Sequence, residues 1–199
     1  MSNEPKSDIY IASGFIAGLE VPGTSSPRPL RDLSIFERAS SGADVPAEIT
    51  RLAQELIREE NDEAPSEGLV LGSARKITVD DSVGEFFAFL TTTGGVCYLF
   101  SDGVGGCIDS LPSGIVLQWA EAAGDDARVP SRVFGIAEDG IVRIEVEFTS
   151  GETVRHDILD NGFAFLLPQS ATTVVRPVRL QVTYADEKSK EIPVPRTEE

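Results

Sequence analysis

The chain of 199 residues holds one histidine, one methionine, one tryptophan and two cysteines. With a single imidazole and a single thioether there is little material for metal binding or acid–base chemistry. Cations are also short: 17 Lys and Arg stand against 33 Asp and Glu, a formal charge of −16. A surface of that sign repels phosphate backbones and anionic headgroups, which excludes nucleic acid and anionic membrane surfaces as partners. Long apolar runs are missing as well. The longest early one, residues 9–19, is interrupted by Ser13, Gly14 and Gly18 and falls short of the roughly 20 residues a membrane helix needs. Its flank carries Glu4, Lys6 and Asp8, not the basic region of an export signal. With neither signal peptide nor transmembrane helix readable, a cytoplasmic location is slightly favoured. Also absent are a G-x-S-x-G elbow, a phosphate loop, C-x-x-C spacing, an EF-hand and a βαβ rhythm.

What remains is 41% apolar and 25% charged residues, the composition of a soluble globular chain. Residues 1–43 read as an extended or partly disordered lead, because Pro22, Gly23, Ser25, Ser26, Pro27 and Pro29 disfavour both helix and central strand. One helix is expected over 46–60, with Asp44 as N-cap and Pro46 in the first turn. Ile49, Leu52, Ala53, Leu56 and Ile57 give it one apolar face. After Gly68 the period changes to two. Strands are expected near 73–79, 85–91, 96–100 and 104–108, and after a linker at 124–130 near 132–137, 141–148, 152–159, 163–167, 178–184 and 190–194. The run 115–120 fits a strand or a helix.

Turn chemistry fixes several registers. With Thr149-Ser150-Gly151 as a three-residue loop, Val146 faces Val154, Ile144 faces His156 and Val142 faces Ile158, while Glu145 meets Arg155 and Arg143 meets Asp157. One face is then apolar and the other carries two opposite-charge pairs. A slip of one residue would destroy both features. Asn161-Gly162 reads as a two-residue hairpin pairing Ile158 with Phe165 and His156 with Leu167. The six strands of 131–199 then read as an immunoglobulin-like β-sandwich, preceded at 44–123 by an antiparallel β-meander with one amphipathic helix. The expected fold class is therefore mainly β.

In the meander, a loop at Ser101-Asp102-Gly103 sets Cys97 opposite Cys107. They are either a cross-strand disulfide, which would imply an oxidising compartment, or two buried thiols. The strand through Phe86, Phe87 and Phe89 is apolar on both faces, as is its neighbour through Tyr98 and Phe100. Each needs cover on both sides. The helix supplies one cover; the second domain, the lead or a partner supplies the other. Phe86, Phe87, Phe89, Tyr98 and Phe100 are thus candidates for an interaction surface. The glycines of Gly103-Val104-Gly105-Gly106 are expected to permit a twist or bulge in the strand carrying Cys107.

Chemistry is sparse. His156 falls on the inner face of its hairpin and reads as a structural histidine. A Cys97–His156 pair would need the two domains to meet there. Asp80-Asp81, Asp125-Asp126, Asp102, Asp109, Asp139 and Asp160 read as solvated turn acids, and Trp119 as a core or domain-interface anchor. No catalytic residue, metal ligand or cofactor site is expected.

The stretch from Phe134 to Pro168 resembles a segment of uncharacterised bacterial proteins of actinobacterial type with a C-terminal immunoglobulin-like β domain. Matching positions are Gly135, Asp139-Gly140, Val142 to Val146, Gly151, and Asp160-Asn161 with Phe163; "GVCYLF", "GGCI" and "LSIFERA" upstream are similar too. The resemblance spans about 30–185 and implies fold more than activity. Such relatives often begin with a membrane anchor, and this chain departs from that. The expected function is a non-enzymatic protein-interaction module working through loops or an open strand edge, with a protein partner or self-association. A hydrolase with a site at the domain junction and a self-assembling structural subunit are the alternatives.

Overall fold

The computed structural model describes residues 14–17, 29–39, 45–60, 68–70, 72–111, 113–120, 131–168 and 175–194. Among them are two α-helices, α1 (Ser34–Glu37) and α2 (Ala47–Glu60), and two short 3-10 turns at Leu30–Asp32 and Asp81–Val83. The strands are β1 (Gly14–Ala17), β2 (Arg75–Ile77), β3 (Phe86–Leu90), β4 (Val96–Phe100), β5 (Gly105–Ile108), β6 (Ile115–Ala120), β7 (Arg132–Ala137), β8 (Ile141–Phe148), β9 (Thr153–Asp157), β10 (Gly162–Leu166), β11 (Pro177–Tyr184) and β12 (Ser189–Pro193). They form three antiparallel sheets of order β2-β3-β4-β5, β1-β6-β7-β10 and β12-β11-β8-β9. The chain is mainly β, and the run at 115–120 is a strand.

Three apolar clusters stack these elements in layers. On α2, Ile49, Leu52 and Ala53 pack on Phe87, Phe89 and Leu99 of the first sheet, the helix face that the 3.6-residue period defines. The opposite face of that sheet, with Phe86, Tyr98 and Phe100, packs on Val116, Phe134, Ile136 and Ala164 of the middle sheet. The far face of the middle sheet, with Leu117, Trp119, Val133, Phe163 and Phe165, meets Ile144, Val146, Leu180 and Val182 of the third. Side chains alternate between faces along a strand. A strand buried on both faces must therefore lie in a middle layer, and every residue of β6 and β7 is buried.

This layering corrects the expected domain division. β6 pairs with β7 in continuous antiparallel register from Ile115↔Ala137 to Ala120↔Arg132, so strands from both sides of the expected linker share one sheet. The linker at 124–130 lies outside the described residues. β1, inside the expected lead, adds to β6, and Leu30, Leu33 and Ile35 of the lead are core residues. Asp44 lies outside the described residues.

The candidate interaction surface is corrected too. Phe86, Phe87, Phe89, Tyr98 and Phe100 are all 2% exposed or less. The chain covers them itself, with α2 on one side and the middle sheet on the other, and they present nothing to a partner.

Asn161-Gly162 does not close a hairpin between β9 and β10. The turn residues are Asp160 (φ 53°) and Asn161 (φ 61°), with Leu159 and Gly162 bridging across them. β9 stays in the third sheet, whereas β10 crosses to pair with β7. The physical reason is burial. β10 has four consecutive buried residues, Gly162 to Phe165, and needs cover on both faces, while β9 alternates between exposed and half-buried. A Cβ at Gly162 would collide with the side chain of Ile77, so glycine there serves close approach of two layers. Gly106 serves the same end. β5 pairs with β4 without a bulge, and a Cβ at Gly106 would lie 2.7 Å from the Gln118 amide of the middle sheet.

One buried cation ties the layers. Arg132, 1% exposed, donates from one terminal nitrogen to the Val83 carbonyl at 2.8 Å and from the other to Asp102 Oδ1 at 2.5 Å. Its guanidinium lies 3.6 Å from the centroid of the Phe100 ring, a geometry that stabilises a desolvated arginine. Burial pulls its pKa down, and the bond to Asp102 opposes that.

Candidate interaction edge and groove

The β8–β9 hairpin adopts the register that turn chemistry gives. Gly151 takes φ 81° and donates to the Phe148 carbonyl at 2.8 Å. Val146 faces Val154, Ile144 faces His156, Glu145 faces Arg155 and Arg143 faces Asp157. On the outer face Arg143 reaches Asp157 at 2.7 Å and Arg155 reaches Glu145 at 2.9 Å. The bonds at the two ends of the ladder fix the rest. The Phe148 amide donates to the Glu152 carbonyl and the Ile158 amide to the Val142 carbonyl, each at 2.9 Å. Alternation along an antiparallel pair then turns the N–H and C=O groups of Thr153, Arg155 and Asp157 away from β8. β9 is the last strand of its sheet, so these groups face outward on an edge with no bulge.

Beside that edge runs a groove of about 630 Å³ lined by Thr78, Val79, Asp80, Arg143, Arg155, His156, Asp157 and Leu159. Its far wall, residues 78–80, is held by the Asp160-Asn161 turn. Asp160 accepts from the Thr78 hydroxyl at 2.7 Å and from Arg38 at 2.8 Å, and Arg38 also donates to the Lys76 carbonyl. Asn161, 6% exposed, accepts from the Ile35 amide and the Ser34 hydroxyl, both at 2.9 Å. Its amide nitrogen donates to the Ala137 carbonyl at 3.1 Å and to Asp139 Oδ1 at 2.8 Å. The turn thus fastens the N-terminal segment, the first sheet and the β7–β8 turn together.

His156 sits on the inner face of β9 at the rim of the third-sheet core, its ring centroid 5.4 Å from that of Phe165. Burial lowers its pKa from the ordinary value, and the neighbouring carboxylates of Asp157 and Asp80 pull it partly back. Asp80 accepts from the Ser82 amide at 2.8 Å, and its bonds to Ser82 hold its carboxyl below the usual range. Cys97 does not approach this region as a thiol. It pairs with Cys107 across β4 and β5, and the two are joined in a disulfide that a cross-strand, non-hydrogen-bonded pair accommodates. Among the described residues no group of three or more His, Cys, Asp and Glu side chains is placed to hold a metal ion, and no helix is long and apolar enough to cross a membrane.

Comparison of the chain with protein-family models, curated proteins and solved structures finds no match. The bacterial-family resemblance therefore rests on its sequence motifs alone.

Of the features the sequence singled out, the structure brings His156, Arg143, Arg155 and Asp157 together at one edge. Cys97, Cys107 and the five aromatic candidates lie elsewhere, in the first sheet. Sequence reasoning missed the Thr78–Asp80 wall and the Asn161 hub. The Asn161-Gly162 dipeptide was the available signal, but "Asn-Gly" speaks first for a hairpin.

Proposed function

We propose that this chain is a non-enzymatic protein-interaction module that receives an extended strand along the free edge of β9. The observation that carries this reading is the row of outward backbone groups at Thr153, Arg155 and Asp157, on an unbulged edge strand that opens onto a groove. Strand addition supplies backbone hydrogen bonds for affinity and side-chain contacts on alternate residues for specificity. The reading includes an immunoglobulin-like sandwich of β6 to β12: β6-β7-β10 facing β12-β11-β8-β9, with chain crossings between sheets after β7, β9 and β10, supports that architecture. Its first strand then comes from before the expected linker. The Cys97–Cys107 disulfide supports work in an oxidising compartment over a cytoplasmic one, and the similarity to bacterial proteins with a C-terminal immunoglobulin-like domain belongs to the same proposal.

Peptides selected from a random extended library against the protein test the reading when they are re-measured on Arg155→Pro. The Arg155 N–H points away from β8, so proline there removes an outward donor and spares the β8–β9 ladder. Binding lost in Arg155→Pro with the fold intact by circular dichroism supports the edge. Peptides that bind the variant equally overturn it.

A further inference from the structure

The charges on β9 decide which strand fits. We propose that the β9 edge pairs with β9 of a second copy of this chain, antiparallel about a two-fold axis, with His156 opposite His156. This rests on the edge-binding reading above and names its partner. Outward backbone groups must face outward backbone groups, so the pairing can slide only in steps that keep Thr153, Arg155 and Asp157 opposite residues of the same parity. Centring it on Arg155 sets two arginines face to face, and centring it on Asp157 sets two aspartates face to face. Like charges directly opposite destabilise a pair. Centring on Val154 puts Arg155 against Thr153 and leaves Asp157 facing Gly151, which lies beyond the strand. Centring on His156 puts Arg155 opposite Asp157 of the second copy, and symmetry repeats the pair.

That register also extends rows already present. Glu145 pairs with Arg155 and Arg143 with Asp157 inside each copy. Across the two-fold, Glu145, Arg155, Asp157 of the second copy and Arg143 of the second copy fall in one line of alternating sign over four strands, twice. On the inner face Val154 falls opposite Ile158 of the second copy. Both are only half-buried at the rim of the third-sheet core, and the pairing covers them. Edge strands that avoid partners carry unpaired charge, proline or a bulge. β9 has no bulge, and both of its outer-face charges are neutralised by β8. The opposite edge of the same sheet, β12, ends in Pro193. The result is an eight-stranded sheet of order β12-β11-β8-β9-β9-β8-β11-β12.

Charge exchange tests the register. Arg155→Glu sets two carboxylates face to face in both rows, and Asp157→Lys sets two cations face to face in both. In the mixed dimer of an equimolar mixture of the two variants, one row keeps the native Asp157–Arg155 pair and the other carries the same attraction with its charges reversed. Sedimentation equilibrium over a range of concentrations should show wild-type dimers, self-association at least about tenfold weaker in each variant, and recovery in the mixture. A wild type that stays monomeric up to about 100 µM, or a mixture no better than its components, overturns the proposal. Should either variant fail to fold, His156→Cys carries the test. Under mild copper–phenanthroline oxidation it should cross-link to itself, and Val154→Cys, which meets residue 158 instead, should not. Equal cross-linking of the two overturns the register. A monomeric wild type whose peptide binding still vanishes in Arg155→Pro would overturn self-pairing alone, and peptide binding indifferent to Arg155→Pro would remove the edge reading with it.

Discussion

At the scale of single residues, the polar groups that matter are those the fold has desolvated. His156, half-buried at the rim of the third-sheet core, is the one whose charge state this changes. Burial against Phe165 holds its pKa below the ordinary value of about 6.5, with Asp157 and Asp80 opposing, so the folded chain prefers the neutral ring and the unfolded chain takes up the proton first. Stability from this group is fully present above the unfolded value and is lost as pH falls through the folded one. The stability difference between wild type and His156→Gln, measured by urea unfolding at concentrations that keep the chain monomeric, should be constant above about pH 7 and move against the wild type from about pH 6.5 downward. A difference that stays flat down to about pH 5 would show that the imidazole stays in contact with solvent. Asn161 and Arg132 belong to the same class. Each is almost wholly buried and each reaches backbone carbonyls and an acid from other elements, so their hydrogen bonds join layers that apolar contact alone would leave free to slide.

At the scale of elements, the β4–β5 hairpin shows how a local constraint supports a layer. Cys97 shares parity with Leu99, which places the disulfide on the α2-facing side of the first sheet. Closing a loop with a sequence separation of 10 restricts the unfolded chain by about 2–3 kcal/mol. Reducing the bond with a dithiol should lower the unfolding free energy by that amount and leave the slope with urea almost unchanged. A loss under about 0.5 kcal/mol would mean that the packing of β4 and β5 holds the hairpin unaided. Elements whose two faces differ in chemistry were the legible ones. The β8–β9 register could be read because one face is apolar and the other pairs Glu145 with Arg155 and Arg143 with Asp157, and α2 because its five apolar residues fall on one stripe. Elements with two apolar faces were not. Ile115 to Ala120 has no period to distinguish strand from helix, and the Phe-rich hairpin signals that it needs cover without saying from where. Asn161-Gly162 misled for a related reason. A turn sequence specifies backbone dihedrals, and the same αL pair serves a hairpin or a crossing between sheets. The choice fell to β10, whose burial on both faces only the assembled middle sheet can provide. The groove wall at 78–80 was illegible because its bonds to Asp160 join positions far apart in sequence.

At the scale of the whole molecule, the shared middle sheet decides how the chain behaves. Two units joined by a linker would each own a core and could unfold separately. Here β6 and β7 exchange a full ladder, and the middle sheet contributes to the cores on both of its sides. Losing the first sheet would expose Val116, Phe134, Ile136 and Ala164 to water. Losing the third would expose Leu117, Trp119, Val133 and Phe163. Either loss strips one face from strands that are buried on both, and a sheet with a bare apolar face is not independently stable in water. Unfolding should therefore be a single cooperative event. Hydrogen exchange followed through a urea series provides the check. Amides of β3 and β4 in the first sheet and of β8 and β11 in the third should converge on one free energy and one urea slope, and Trp119 fluorescence should report the same midpoint. Separate slopes for the two sets of strands would mean that the interface between the first sheet and the middle sheet opens by itself. The chain would then be two units after all, meeting across a surface weak enough to part.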